Sequence, residues 1–107
     1  MEQINQVIIR GIIGSARTQN IGDTEMVRFS VATDYVSRTS TGQVTIETTW
    51  HRVTAFYNDR MPDFYSLTGG VKVEVKGRLR NTRYVTPAGT EQTINEILAS
   101  DITVIQS

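Results

Sequence analysis

Trp50, Arg52 and Phe56 stand at even positions within Val44–Tyr57, a stretch rich in β-branched and aromatic residues and free of Gly and Pro. Such a stretch reads as a long strand. Side chains alternate faces along a strand. One face therefore carries Ile46, Thr48, Trp50, Arg52, Thr54 and Phe56, and the other Glu47, Thr49, His51, Val53 and Ala55. Two aromatic rings with a guanidinium between them suit stacking on bases while holding phosphates. An unpaired charge is costly to bury, so Arg52 does not suit a face made only for a core. Taken alone, the strand still favours an ordinary sheet element with Trp50 and Phe56 in the core.

Charge gathers further along. Between Lys72 and Tyr84 there are five basic residues, Lys72, Lys76, Arg78, Arg80 and Arg83, against the single acid Glu74. After Tyr84 come the acids Glu91, Glu96 and Asp101, with no Lys or Arg. The 11 basic and 11 acidic residues of the whole chain cancel, which argues mildly against a nucleic-acid binder. Segregation along the chain can nevertheless place a positive groove on a neutral protein. Arg78 and Arg80 also fit a plain solvated face, but the excess of one sign points to phosphate contacts.

Other chemistry is excluded or weak. His51 is the only histidine; with no carboxylate or second ligand near it in sequence it reads as structural rather than catalytic or metal-binding. There is no cysteine, hence no disulfide and no thiolate ligand, which fits a reducing compartment. Gly11-Ile12-Ile13-Gly14 is too short and apolar for a phosphate loop, and no nucleophile elbow, Walker loop or metal-ligand cluster is present. The chain thus reads as a binding protein without catalytic residues, metal or cofactor. The apolar run Val7–Ile13 is interrupted by Arg10 and Gly11 and lacks the basic leader of a signal peptide. Nothing approaches the ~20 apolar residues of a membrane span. A cytoplasmic protein with no membrane partner is expected.

The elements that must position these residues follow from periodicity. At 107 residues the chain suits one domain, 1–107, that can bury a core without staples. Ile4–Thr18 favours a strand. Its interior glycines mark a bulge or sharp bend, as a small closed barrel needs when one strand serves two sides; two short strands with a turn at Gly11 are the alternative. Gln19–Thr24 is a turn by composition. Met26–Tyr35 alternates Val27, Phe29, Val31, Thr33 and Tyr35 against Arg28, Ser30, Ala32 and Asp34. In 58–70, Pro62, Asp63, the spacing of Met61, Phe64 and Leu67, and Gly69-Gly70 predict a helix of about two turns plugging a barrel end. Val71–Leu79 alternates most cleanly and continues extended to Val85. After a turn at Thr86–Thr90, Thr93–Leu98 and Ile102–Ile105 form a last strand broken or kinked near Ser100-Asp101. Five strands with one short helix between the third and fourth give an all-β fold in the order of the OB-fold, a five-stranded Greek-key barrel that binds oligonucleotides or oligosaccharides.

Over nearly its whole length the sequence resembles the bacterial single-stranded DNA-binding protein family. Thr49-Trp50-His51-Arg52-Val53 followed by Phe56 is similar to the family's third strand. Asn5–Gly11, Phe29–Thr33, and Gly77-Arg78-Leu79-Arg80 followed by Tyr84 are similar to its first, second and fourth strands. The resemblance implies sequence-independent binding and protection of single-stranded DNA in replication, recombination or repair. It also implies a homo-oligomer, usually a tetramer, with a dimer possible. By position it makes Trp50, Phe56 and Tyr84 base-stacking residues. Arg52, Lys72, Lys76, Arg78, Arg80 and Arg83 are the candidate phosphate contacts, and His51 a candidate subunit contact. A further stacking tryptophan of the family aligns with Ser37. Tyr35, two residues earlier and so on the same strand face as Ser37, is expected either to replace it beside Trp50, Phe56 and Tyr84 or to face solvent or a neighbour. The family's acidic C-terminal tip, which recruits other genome-maintenance proteins, has no counterpart before Gln106-Ser107, leaving replication or repair partners in doubt. Two alternatives stay open: a primosome-like barrel acting mainly through protein partners, and an oligosaccharide- or protein-binding OB module.

Overall fold

The structure, a computed structural model, describes residues 1–106. Five strands, β1 (Val7–Ile21), β2 (Thr24–Arg38), β3 (Val44–Phe56), β4 (Lys72–Val85) and β5 (Glu91–Val104), close into a barrel in the order β1-β2-β3-β5-β4. All neighbours are antiparallel except β3 and β5, which run parallel and meet only at Val53–Ile97 and Thr54–Leu98. This is the predicted OB-type barrel. No helix among the described residues is long and apolar enough to cross a membrane.

The alternation in the sequence becomes an inside and an outside. Val27, Phe29 and Val31 of β2, Val53 and Ala55 of β3, Val73 and Val75 of β4, and Ile97 and Ile102 of β5 are buried together in the core. The first strand does serve two sides, pairing with β4 through Val7–Ile12 and with β2 through Ile12–Ile21. Its ladder to β2 is irregular between Ile13 and Ala16, the bulge expected of the glycine-bearing segment. A side chain at Gly11 would collide with the Ala32 carbonyl, so that glycine marks a close backbone approach rather than a turn.

Several boundaries differ from expectation, β2 among them, which runs on past Tyr35 to Arg38. β1 runs on to Ile21, and the hairpin to β2 is closed by Gly22 and Asp23 alone, with Gly22 at φ 60°. A glycine with positive φ at the first central position is what a type II′ hairpin turn uses. The segment between β3 and β4 forms only one 3₁₀ turn, Phe64–Ser66, instead of a two-turn helix; the Asp63 side chain accepts from the Tyr65 amide at its start. Met61, Phe64 and Leu67 are all buried, but only Phe64 lies in the turn. Met61 and Leu67 reach the core from irregular backbone on either side, and 3₁₀ runs longer than three or four residues are uncommon. The three side chains do seal the core, as a plug would. The last strand is continuous, and its kink is a one-residue slip: Lys76 pairs with Asp101 but Gly77 with Ala99, leaving Ser100 unmatched.

Candidate nucleic-acid interface

Register across the β2–β3 hairpin decides which side chains share a surface. Trp50 lies opposite Ala32, Arg52 opposite Ser30, Thr54 opposite Arg28 and Phe56 opposite Met26. By strand parity these residues lie on the opposite side from the Val53–Phe29 and Ala55–Val27 pairs of the core, although Met26 and Thr54 are themselves buried. Trp50 is 60% exposed and Phe56 38%, so the aromatics of β3 are surface groups, and the core alternative for them does not hold. A Cβ at Gly14 would come within 2.5 Å of the Trp50 ring. The indole thus lies across β2 against bare backbone of β1. Gly14 leaves room for it as well as lying in the bulge.

Two open clefts share Arg28 and Arg52 in their linings, and the Trp50 ring borders the first. One, of ≈ 370 Å³, includes Ser15, Ser30, Trp50, Arg28 and Arg52 in its lining. The next, of ≈ 390 Å³, is lined by Arg28 and Arg52 again with Arg80, Thr82, Tyr84, Ile94 and Glu96. Tyr84 is 41% exposed, and its hydroxyl donates to Gln92 across the β4–β5 arm. A cationic strip from Arg28 and Arg52 therefore runs between the Trp50 and Tyr84 rings. Among the described residues neither of these arginines is in an ion pair.

The remaining basic candidates are dispersed. Ile12 pairs with Ala32 on one side and Lys72 on the other. One rung thus crosses from Trp50 to Lys72, roughly 14 Å at about 4.8 Å per strand spacing. Lys76 lies beside Glu74, which also accepts from Arg10. The Arg10 hydrogen bond, with the Arg10 and Lys76 charges, holds the Glu74 carboxyl below its ordinary range. Arg78 borders a separate cleft with Asn5 and Ser100. Arg83 is 3.2 Å from Glu91 and Arg80 is 2.7 Å from Glu96. Glu96 is almost buried and also accepts from Thr54 at 2.7 Å and Thr82 at 3.1 Å. Burial pushes its carboxyl up, but those three hydrogen bonds and the Arg80 charge outweigh it, and the net displacement is downward.

Tyr35 does not join this surface. It pairs with Glu47, on the same face as the Val31–His51 and Phe29–Val53 pairs, so it points away from Trp50. Ser37, opposite Thr45, shares that orientation. Of the two alternatives for Tyr35, this register disfavours the stacking position beside Trp50 and fits the exposed position facing solvent or a neighbour. The parity was visible in β2 itself, where Tyr35 alternates in step with Val27, Phe29 and Val31. The same parity would have found Arg28, which sequence reasoning did not select. His51 is half-buried and bonds Thr33 at 2.8 Å within the chain.

The family model for the single-strand binding protein family matches residues 4–105. The chain belongs to that family. Among curated proteins none matches the sequence. Solved structures share its fold. The Plasmodium falciparum SSB in complex with ssDNA is 23% identical, with a TM-score of 0.78 over 99% of this chain and 98% of that one. A small single-stranded DNA-binding protein from Streptomyces coelicolor is also 23% identical, with a TM-score of 0.70 over 98% and 96%. A deletion mutant of the single-stranded DNA binding protein from Thermus aquaticus is 17% identical, with a TM-score of 0.75. This chain spans about half of that protein, 51%, while 96% of this chain is covered.

Proposed function

We propose that this protein binds and protects single-stranded DNA without sequence preference, in replication, recombination or repair, and acts by binding rather than catalysis. The observation that carries it is the contiguous outer strip in which Trp50 and Tyr84 flank Arg28 and Arg52. Rings stack on any base, and arginines between them meet the phosphates joining successive bases. A duplex hides its base faces, so the strip favours single strands. The same strip speaks against a barrel that works mainly through protein partners. We further infer a cytoplasmic homo-oligomer, tetramer or dimer. Ile8 and Ile12, on the outward face of β1, are 57% and 46% exposed, and such apolar surface favours self-association. Light scattering at micromolar concentration should show more than a monomer.

The test is a titration with poly-dT, poly-dA, duplex DNA and an oligosaccharide, read by tryptophan fluorescence. Trp50 is the only tryptophan, so quenching by both single strands and by neither of the others is the expected result. Each base–aromatic stack is worth roughly 1–3 kcal/mol. Trp50→Ala should therefore weaken poly-dT binding about five- to 150-fold at fixed salt, followed by anisotropy of a labelled strand. Equal affinity for duplex, or an unaffected Trp50→Ala variant, would remove the basis for the proposal.

A further inference from the structure

We infer that Glu96 is a positioning residue that withholds Arg80 from the DNA phosphates, leaving Arg28 and Arg52 to supply the charge of the strip. This rests on the single-stranded DNA reading above and assigns a division of labour within the same groove.

Arg80 and Glu96 are a cross-strand pair of β4 and β5 at the floor of the Tyr84 cleft. The Glu96 side chain is 8% exposed and that of Arg80 33%, with Nε 2.7 Å from Oε1. Both carboxylate oxygens are engaged: Oε1 also accepts from Thr82, and Oε2 accepts from Thr54 on β3. One side chain thus ties β3, β4 and β5 together beside Val53–Ile97 and Thr54–Leu98, where β3 and β5 meet to close the barrel. A phosphate approaching Arg80 meets a pair of zero net charge. Pulling the guanidinium away would leave Glu96 buried without its counter-charge, a costly state. Arg28 and Arg52 line the same cleft with no such competitor among the described residues. Glu96→Gln keeps the shape: its amide oxygen can accept from one of Thr54 and Thr82 and its NH2 can donate to the hydroxyl of the other, but it releases one positive charge into the strip.

Poly-dT titrations across a salt series separate the possibilities. On single strands the log–log slope changes by roughly 0.7 per phosphate neutralised. Glu96→Gln should bind more tightly at low salt, with a slope steeper by about that amount. The double variant Arg80→Gln with Glu96→Gln removes both charges and should return the slope to that of the parent. If the double variant is shallower than the parent by about 0.7, Arg80 contacts phosphate despite its partner and the inference falls. It also falls if Glu96→Gln melts at lower temperature while its slope is unchanged, since Glu96 would then be merely structural. Should Glu96→Gln fail to fold, the double variant alone decides between parental and shallower slopes. A parent that does not bind poly-dT would overturn the DNA reading itself, an outcome distinct from any difference between variants.

Discussion

The Trp50 ring can rest against the backbone of β1 because residue 14 is glycine. Any Cβ there would meet the ring at 2.5 Å, so the indole must tilt or the strand must shift. Gly14→Val should lift the ring from its backbone bed. The expected result is a shifted Trp50 emission and poly-dT binding weakened in the direction of Trp50→Ala; unchanged emission and affinity would mean that the ring does not need that contact. Tyr35 supplies the opposite case. It is 70% exposed, yet strand parity turns it away from Trp50. Tyr35→Ala should therefore change poly-dT affinity by less than about twofold, against the five- to 150-fold of a stacking ring. A loss in that larger range would show that the hairpin twists enough to bring both faces to the strand.

The β4–β5 hairpin converts a charge pattern along the chain into a different one in space. The basic strand folds back on the acidic one, so Arg80 meets Glu96 and Arg83 meets Glu91. Asp101 is taken by Arg60 from the segment after β3. The surplus positive charge of Lys72–Arg83 is thereby partly cancelled, and the uncancelled charge of the groove comes instead from β2 and β3. Arg28→Ala should shallow the salt slope by roughly 0.7, alike on every sequence. An unchanged slope would place Arg28 off the strand's path. Backbone geometry sets a second constraint on this hairpin. At Gly77, where the β5 slip occurs, a Cβ would run into the Leu98 carbonyl and neighbouring backbone. Backbone cannot yield as a side chain can. Gly77→Ala should cost about 1–3 kcal/mol, visible as a lower denaturation midpoint; a midpoint equal to the parent's would show that the bulge absorbs the added carbon.

For the molecule as a whole, the buried carboxylate links stability to pH. The folded form of Glu96 titrates below its ordinary value of 4.5 because its partners favour the charged state. A carboxyl lowered on folding contributes stability that is complete above the unfolded value. That stability is lost as pH falls through the folded one. Thermal melts should thus be flat in Glu96's contribution near neutrality and fall below about pH 4.5. Glu96→Gln should lose less on acidification than the parent, and equal acid sensitivity of the two would assign the loss to other groups. Glu74, held low by Arg10, acts in the same direction in the parent and in the variant.

The sequence by itself determined the elements and which of their faces is apolar. Alternation in Val27–Val31, Val53–Ala55 and Val73–Val75 has only one way to bury its valines, and the glycines of β1 have a reason to bend. It also carried the family, through the blocks around Trp50, Phe29 and Arg78. What only the tertiary structure decided concerns pairs of residues distant in the chain. Whether Arg28 stands beside Arg52 depends on the β2–β3 register, which sets Ser30 opposite Arg52 and Arg28 opposite Thr54. Whether Arg80 meets phosphate or carboxylate depends on which β5 residue lies across from it, sixteen positions away. Gly14 acquires its role as a bed for Trp50 only once β2 lies between them. Periodicity reports a side chain's relation to its own strand; a binding surface is a relation between strands, fixed by register, bulges and barrel closure.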